Sequence, residues 1–355
     1  MLARSFYRRM IEMGELRRMR SIAIHVRSAQ ATGPTVYFAT PDHDVPAGGI
    51  RVIYRHVDIL NSAGINASVT HRKRGFKCTW FKHDTRITDF ANLTLRRGDL
   101  LVMPEVDVQL LSALPRGIRY AIFNQNSHLT WKGSDDKVVW SVYQESPDLA
   151  GVVTVSSHSM EMLQHAFPAC RVRRLHLGID KALFHPGDGP RARRIAYMPR
   201  RGRDDCLQVL KMLCGRAAIE DWELVPLDGL PHEKVAECLR TTQIFLAFTA
   251  QEGFGLPAAE AMACGNYVIG NHGFGGREFF LPRFSTSVQV GDILGFVHAV
   301  EAVLASERRK PGWCAEKGRQ AARFIHSRYS VARERAEVER IYSDFLAMPG
   351  SGGNR

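Results

Sequence analysis

IFLAFTAQEGFGLPAAEAMACGNYVIG, residues 244–270, is the stretch that decides the fold. Its first five residues are apolar and predict a buried strand, whereas residues 257–265, PAAEAMACG, predict a helix. Pro257 suits the first turn of that helix and Gly265 suits its carboxyl end. A buried strand that passes through a glycine-rich turn into a helix is typical of α/β proteins with parallel sheets.

Two glutamates flank the glycine turn of this stretch. Glu252 precedes the turn, and Glu260 projects from the helix that follows it. Gly253 and Gly255 allow a ligand to approach the backbone closely, and they expose amide groups at the start of the helix, which favours an anion. Because a carboxylate can accept hydrogen bonds from two vicinal hydroxyls, the arrangement predicts a nucleotide sugar whose sugar, diphosphate and ribose lie in a row.

Two other interpretations fit the same residues. Gly253, Gly255 and Ala258 satisfy the G-x-G-x-x-A fingerprint of dinucleotide-binding folds. That fingerprint normally follows the first strand of its domain, whereas here it lies deep in the second half of the chain. In the other interpretation, Glu252 only caps the helix and Glu260 lies on its solvated surface.

The remaining chain alternates short apolar runs with helical patterns, first from about residue 34 and again from residue 194. Such alternation predicts two doubly wound parallel sheets and an α/β fold. A helix is predicted over residues 49–63, where four aliphatic residues share one face and Gly64 follows. The predicted strands are TVYFAT, INASVT, DLLVMP, RYAIFN, GVVTVS and VRRLH in the first half, and RIAYMP, WELVP, IFLAF and YVIG in the second, where helices are predicted at about 204–215, 231–240 and 257–264.

The Gly- and Pro-rich segment LGIDKALFHPGDGP, residues 177–190, predicts a junction between two domains. We therefore expect two Rossmann-like domains that face each other across a cleft at the carboxyl ends of their strands, where ligands of such folds bind. The predicted divisions are a basic N-terminal extension (1–20), an N-terminal domain (21–175), a C-terminal domain (176–330), a C-terminal helix (331–346) that packs back toward the first domain, and a flexible tail (347–355).

The bulk composition indicates a globular protein of a reducing compartment. The chain has 355 residues and a net charge of +12, so an anionic partner is expected but not identified. Its seven cysteines are scattered without a C-x-x-C pair, which argues against a zinc site or a disulfide framework. No apolar run reaches the ~18 residues that span a bilayer, and the N-terminus lacks the apolar core of a signal peptide. We expect a cytoplasmic protein.

Two basic segments each suit more than one kind of partner. Residues 1–20 carry six arginines and two glutamates, so they suit either a helix on the anionic inner face of a membrane or a solvated leader. Residues 71–83, HRKRGFKCTWFKH, mix basic and aromatic side chains. That segment suits an acidic acceptor, a membrane face or single-stranded nucleic acid, or else an exposed loop whose aromatic residues point inward.

EGFGLPAAEAMACGNYVIG resembles the E-x7-E signature of the retaining GT-B glycosyltransferases, specifically glycosyltransferase family 4. Three further segments are similar to the family, and with the signature they extend the resemblance over most of residues 34–345. LHLGIDKALFHP resembles the segment between the two domains, although His176 and Leu177 replace the usual small polar residues. PDHDVPAGGIRVIYRHVDILNSAG resembles the N-terminal glycine loop and first helix, and GFGGREF resembles a loop that ends in a glutamate, here Glu278.

The resemblance implies a role for each matching residue. Glu252 would bind the hydroxyls of the donor sugar, and Glu260 would bind those of the ribose. Arg200 and Arg201 would complete the catalytic set, because MPRRGRDD offers three arginines to the diphosphate at the end of a strand, without deciding which two act. The other donor-binding residues would be Gly48, Gly49, Asn126, His128, Arg203, Gly253, Phe254, Gly255 and Leu256.

Asp42 and Asp44 form a literal D-x-D, the metal-diphosphate motif of the other large glycosyltransferase fold. Two carboxylates suit a divalent ion held against phosphates. Here, however, the pair follows the first predicted strand and precedes the glycine pair, and no other feature of that fold accompanies it. A turn that supplies backbone hydrogen bonds is therefore favoured, and we expect no metal requirement.

The resemblance thus implies a retaining hexosyltransferase that moves a sugar from a nucleoside-diphosphate sugar to a hydroxyl of a glycan, lipid-linked or small-molecule acceptor, in polysaccharide or glycoconjugate biosynthesis. The first domain would take the acceptor and the second the donor. The departing phosphate oxygen would accept the proton, so no separate base is expected. The alternatives are a nucleotide-sugar epimerase or sugar phosphorylase on the same scaffold, and a non-catalytic basic module that binds membrane or nucleic acid. The intact glutamates and glycine turns argue against the last, and we expect no nucleic acid partner.

Overall fold

The computed structural model describes residues 25–30 and 33–348. The predicted N-terminal extension (1–20) and most of the predicted tail (347–355) lie outside the described residues. The chain divides into two compact units: the first takes residues up to 155, 159–175 and 335 onward, and the second takes 156–158 and 176–334.

Parallel strands form the centre of the first unit. Its described strands are β1 (His25–Gln30), β2 (Val36–Ala39), β3 (Ala67–His71), β4 (Ile87–Asp89), β5 (Thr94–Arg97), β6 (Leu100–Pro104), β7 (Arg119–Asn124), β8 (Leu149–Thr154) and β9 (Val172–Arg174). Seven of them form a sheet of order β4-β3-β2-β6-β7-β8-β9, in which every neighbouring pair is parallel, and β1 pairs with β5. The described α-helices of this unit are α1 (Gly48–Ser62), α2 (Asp136–Trp140) and most of α3 (Ser157–Ala166).

The core of this unit lies on both faces of the sheet. Strands β6 and β7 are buried along their whole length, as central strands of a parallel sheet should be. Helix α1 buries its aliphatic stripe, which includes Ile50, Ile53 and Val57, and it ends before Gly64, whose φ is +78°. The helical periodicity of residues 49–63 therefore predicts α1 almost to the residue.

The second unit repeats this design on a smaller sheet. Its described strands are β10 (Arg194–Tyr197), β11 (Glu223–Pro226), β12 (Ile244–Glu252), β13 (Tyr267–Phe274) and β14 (Ser285–Ser287), in the parallel order β11-β10-β12-β13-β14. Its helices are α4 (Arg203–Cys214), α5 (His232–Thr241), α6 (Leu256–Ala263), α7 (Ile293–Arg309) and α8 (Trp313–Arg328). The last helix, α9 (Val331–Ala347), begins in this unit and continues into the first.

The end of α9 is held within the first unit by aromatic and polar contacts. The ring of Tyr342 lies 5.0 Å from that of Phe38 on β2. The guanidinium of Arg119, on β7, donates to the carbonyl oxygens of Phe345 and Leu346 at 2.7 and 3.1 Å. These bonds satisfy carbonyls at a helix end that otherwise lack partners.

The structure confirms every predicted apolar strand but extends two of them. Strands β12 and β13 continue past their apolar cores to Glu252 and Phe274, which pair with each other. The sequence did not predict β1, β4, β5 and β14, because these short strands carry polar residues and lack an apolar run. The extension of β12 matters most for the glycine turn, because it makes Glu252 the last residue of a hydrogen-bonded strand.

Candidate functional site

A glycine turn joins β12 to α6. Glu252 is the last residue of the strand, and Gly255 adopts a left-handed conformation (φ +93°) at the cap of the helix. Only glycine adopts this conformation without steric cost. Pro257 then occupies the first turn of α6, where its missing N–H costs nothing. The predicted glycine turn (residues 253–255, called the elbow below) is present. It places backbone amides at the start of α6, where helices favour anions.

A second loop, at the end of β13, packs directly on this elbow. A Cβ atom added to Gly275 would lie 2.1 Å from the carbonyl oxygen of Gly253, so the two backbones meet where no side chain fits. Phe274 has a φ of +65° and is the one non-glycine residue with a positive φ in the described chain. Such strain persists only where the surroundings impose it, and it concentrates at functional sites. The GFGGREF segment therefore completes the elbow.

Glu252 is paired with an arginine. The Arg201 guanidinium donates to the Glu252 carboxylate, whose side chain is 16% exposed, whereas that of Arg201 is 52% exposed. Burial raises the pKa of Glu252, and the nearby Arg201 charge opposes that rise. The pair lies beside a cavity of about 20 Å³, which also contacts Thr249, Gly255 and Asn271. A volume of this size holds a water molecule rather than a larger ligand.

The other two predicted arginines occupy different positions. The Nε of Arg200 lies 3.0 Å from Oδ1 of Asp228, and both side chains are more than half exposed. Arg203 is exposed at the first position of α4. An exposed ion pair contributes little to stability. Of the three arginines, the structure brings Arg201 to Glu252.

Glu260 lies on the buried face of α6, where its side chain is almost fully buried. Its Oε1 atom lies 3.0 Å from Nε2 of His232, the first residue of α5. This position contradicts the interpretation in which Glu260 is solvated on the helix surface. The sequence reasoning missed His232, which precedes the glutamate by 28 residues and carries no motif of its own.

In the first unit, Gly48 and Gly49 begin α1. The side-chain Nε2 of Gln125 donates to the carbonyl oxygen of Gly49 at 3.2 Å. Gly49 and Gln125 contribute to a pocket of about 900 Å³ at the carboxyl ends of β2, β3, β6 and β7. This volume suits a small-molecule ligand. The pocket is lined by Pro41, Asp42, His43, Ala47, Gly49, Ile50, Ile53, Arg72, Lys73, Pro104, Glu105, Val106, Gln125 and Leu129.

Asn126 and His128 do not belong to the lining of this pocket. The Asn126 side chain accepts a hydrogen bond from the His128 amide at 3.2 Å and so caps the short 3₁₀ helix Ser127–Leu129. Burial lowers the pKa of His128, which favours the neutral imidazole. The structure therefore gives Asn126 a local capping role and places Gln125 in the pocket.

Glu105 is a pocket residue that sequence reasoning missed. It directly follows β6, is 5% exposed, and accepts hydrogen bonds from the amides of Gln125 and Asn126, each at 3.1 Å. Burial raises the pKa of its carboxyl to about 7. The available signal was a carboxylate at the end of a fully apolar run, which is where parallel sheets place ligand-binding residues.

The two aspartates of the D-x-D sequence bind backbone amides. Asp42 accepts from the amides of Arg72 and Lys73 at 3.0 and 2.8 Å, and Asp44 accepts from that of Thr79 at 2.7 Å. These bonds tie the loop after β2 to the loop after β3, in agreement with the backbone role predicted for the pair. No group of three or more potential metal-ligand side chains was found in the described part of the chain.

The aromatic residues of segment 71–83 point inward. The ring of Phe81 lies 5.2 Å from that of Tyr54, which is buried on α1, and the ring of Phe76 lies 4.6 Å from that of buried His71. Side chains packed in this way are not available for stacking on nucleic acid bases. The interpretation as an exposed loop with inward aromatics is the one that the structure supports.

Two general expectations can be compared with the described residues. Each of the seven cysteines is a free thiol. Within residues 25–30 and 33–348, no helix combines the length and the apolar character needed to cross a membrane.

Known proteins resemble this chain in sequence. Residues 226–321, which include the elbow and both glutamates, match the family model for glycosyl transferases group 1. An alpha-1,6-glucosyltransferase of Actinobacillus pleuropneumoniae serotype 7 is 25% identical over 318 residues, covering 84% of this chain and 92% of the relative. These findings support a GT-B glycosyltransferase.

Several solved glycosyltransferase structures share the fold of this chain. Sucrose-phosphate synthase from Thermosynechococcus elongatus aligns with a TM-score of 0.68 at 15% identity, over 88% of this chain and 99% of that one. Anabaena HepE, solved with UDP-glucose, gives 0.64 at 12% identity, over 87% and 99%. The pneumococcal O-GlcNAc transferase GtfA, solved with UDP and GlcNAc, gives 0.65 at 8% identity, over 90% and 100%. The predicted fold class, α/β with two Rossmann-like domains, is confirmed.

Proposed function

We propose that this protein transfers a hexose, with retention of anomeric configuration and without a required metal ion, from a nucleoside-diphosphate sugar to an acceptor hydroxyl. The observation that carries the proposal is the pairing of Glu252 with Arg201 at a glycine elbow that opens a helix. A carboxylate binds sugar hydroxyls, whereas an arginine and helix-terminal amides bind phosphates. The two chemistries meet at one point, as a nucleotide sugar requires.

The donor is proposed from the elbow and from the relatives. HepE was solved with UDP-glucose and GtfA with UDP and GlcNAc, and the relative from Actinobacillus is named as a glucosyltransferase. These names make UDP-glucose and UDP-GlcNAc the first donors to test. In this assignment, Glu252 accepts hydrogen bonds from the sugar, Arg201 binds the diphosphate, and Glu260 accepts hydrogen bonds from the ribose hydroxyls.

The proposed transfer is a substitution at the anomeric carbon of the donor sugar with same-face attack. The bond between the anomeric carbon and the diphosphate oxygen breaks, and a bond forms from the acceptor oxygen to the same face of that carbon. The proton of the acceptor hydroxyl passes to the departing phosphate oxygen, so no further base is required. Arg201 and the dipole of α6 offset the negative charge that develops on the diphosphate, which is why we propose a reaction without a metal.

The acceptor is proposed to bind in the pocket of the first unit. Its volume of about 900 Å³ admits a sugar or the head of a lipid-linked saccharide. The wall of the pocket offers both hydrogen-bond donors and hydrogen-bond acceptors, from Lys73, Glu105 and Gln125. Such a wall suits a partner rich in hydroxyls. We propose that the acceptor is a glycan, a lipid-linked saccharide or a small molecule, and that the enzyme acts in the reducing cytoplasm, where its seven free thiols persist.

The test combines a donor panel with product analysis. The protein is incubated with UDP-glucose, UDP-GlcNAc, GDP-mannose or ADP-glucose and a mixture of mono- and oligosaccharide acceptors, with and without EDTA. We expect one donor to release its nucleoside diphosphate only when acceptor is present, at a rate that EDTA does not change. Proton NMR of the product should show the same anomeric configuration as the donor.

Other results would replace the proposal. Inversion of the anomeric centre would contradict the retaining mechanism, and loss of activity in EDTA would contradict metal independence. Conversion of the nucleotide sugar without acceptor would indicate an epimerase. Glycan cleavage that depends on inorganic phosphate would indicate a phosphorylase.

A further inference from the structure

His232 and Glu260 form a partly buried polar contact that joins α5 to α6. Nε2 of His232 lies 3.0 Å from Oε1 of Glu260. An ionised carboxylate only accepts hydrogen bonds, so in this contact Nε2 of the imidazole is the hydrogen-bond donor. The Glu260 side chain is 7% exposed, whereas that of His232 is 27% exposed, so the histidine is the more solvent-accessible member of the pair.

Segment 183–184 fixes the histidine from a second direction. The ring of Phe184 packs edge-on against that of His232, with centroids 4.7 Å apart and an interplanar angle of 65°. Phe184 is 1% exposed, which leaves its ring little freedom. The Arg240 guanidinium, near the end of α5, donates to the carbonyl oxygen of Leu183 at 2.8 Å. Segment 183–184 therefore contacts α5 at its first residue, His232, and near its carboxyl end, at Arg240. These two contacts hold the imidazole in place.

We infer that His232 is a positioning residue for the nucleoside: it fixes the Glu260 carboxylate in the orientation that accepts the ribose hydroxyls. The inference rests on the proposed function, which assigns the ribose to Glu260. A carboxylate has about four acceptor sites, so one bond to His232 is compatible with others to ribose. A carboxylate that is already oriented loses less conformational freedom when the nucleotide binds.

This role makes a prediction about ribose selectivity. A nucleoside diphosphate with a complete ribose should bind more tightly than its 2′-deoxy analogue, because only the former supplies both hydroxyls to Glu260. Removal of the His232 hydrogen bond should reduce this preference roughly tenfold, the scale of one hydrogen bond to a charged group. The affinity for the 2′-deoxy analogue should change little. A purely structural role would weaken both ligands together.

The experiment is a double-mutant cycle on the full chain. Calorimetric titration first identifies which of UDP, GDP and ADP binds, and then compares that ligand with its 2′-deoxy analogue in His232→Ala, Glu260→Ala and the double variant. His232→Gln is the conservative variant, because its amide nitrogen can donate where Nε2 does. His298→Ala, an exposed histidine on α7, is the matched control, and thermal unfolding checks that each variant is folded.

The expected results are specific. His232→Ala should lower the ribose preference about tenfold, His232→Gln should retain most of it, and His298→Ala should leave it unchanged. Adding His232→Ala to Glu260→Ala should have no further effect, because the histidine acts through the carboxylate.

The failures can be told apart. If Glu260→Ala removes the ribose preference and His232→Ala does not, the inference is wrong and the proposed function stands. If Glu260→Ala keeps the preference, the ribose role of Glu260 is wrong, and the inference falls with it. Absence of binding by all three nucleoside diphosphates would overturn both.

Discussion

Arg201 donates a hydrogen bond to Glu252 across 51 residues of sequence, and it thereby joins the loop after β10 to the end of β12. The arginine is half exposed and the glutamate is mostly buried, so the guanidinium stands between the carboxylate and solvent. Because Arg201 is also the proposed diphosphate ligand, one side chain links the position of the donor's sugar to that of its phosphates.

Replacement of Arg201 should change the pH dependence of transfer. Burial raises the pKa of Glu252 and the Arg201 charge opposes this, so Arg201→Gln should raise the pKa further. The carboxylate is the form that accepts hydrogen bonds, so activity should fall as the pH drops through this pKa, and the acid limb of kcat/KM should move to higher pH in the variant. At the optimum, kcat/KM should drop about 10²-fold, because a charge partner of the diphosphate is lost.

A control separates this effect from a general change of charge. Arg193 is exposed and directly precedes β10, so it lies at the opposite, amino end of that strand. Its Nη1 atom lies 3.2 Å from Oδ2 of Asp221. Arg193→Gln should leave both the acid limb and kcat/KM unchanged. An acid limb that stays in place in Arg201→Gln would show that Glu252 is not the titrating group.

Gly275→Ala should break the contact between the two loops of the elbow. The new Cβ would meet the Gly253 carbonyl oxygen at 2.1 Å. Because that oxygen belongs to the backbone and the Cβ is bonded directly to the backbone of residue 275, a loop must move. A shift of about 1 Å at a site of this kind can cost about 10²-fold in rate, and we expect that loss in steady-state transfer. Gly189→Ala is the matched control, since a Cβ there meets nothing within 4 Å. Equal activity in the two variants would contradict the role given to the second loop.

Glu105 should give the first unit a pH-dependent stability. Its pKa is about 7 in the folded chain against a reference value of 4.5, so the folded state binds this proton more tightly than the unfolded state. The free energy of unfolding should therefore fall as the pH rises between these values, by an amount on the order of 3 kcal/mol. Glu105→Gln removes the titration and should flatten this part of the profile, although it also weakens one backbone contact.

Thermal unfolding at pH 5 and pH 8 measures this effect. The melting temperature of wild type should fall more between these two pH values than that of Glu105→Gln. Glu145→Gln, at an exposed position of the same unit, should behave as wild type does. A slope that Glu105→Gln does not change would contradict the assignment of the titration to this residue.

The sequence predicted the elements that carry their own signal. Apolar runs marked the central strands, and the aliphatic stripe from Ile50 to Leu60 marked α1. The spacing of Glu252 and Glu260 around the glycines predicted a strand, an elbow and a helix that the structure contains. Strand β14, with the sequence STS, was missed because its pairing with β13 depends on the neighbouring strand rather than on its own residues.

The partners of the glutamates could not be predicted in the same way. His232 reaches Glu260, and Glu105 reaches the amides of Gln125 and Asn126, through tertiary packing alone. Three arginines near residue 200 looked equivalent in sequence, and only the turn before α4 decides that Arg201 reaches Glu252. Local patterns fix periodicity and turns, whereas contacts across many residues depend on how the elements pack.

For the UDP-sugar donor proposed above, the decisive measurement is the turnover of Glu252→Gln, determined together with its affinity for UDP. The substitution keeps the size of the side chain and removes the charge that would hold the donor sugar. We expect kcat to fall by about 10² to 10³-fold, while the Kd for UDP changes by less than about threefold, since UDP carries no sugar for this carboxylate to bind. Transfer at the wild-type rate, or a loss of UDP binding as large as the loss of turnover, would contradict it.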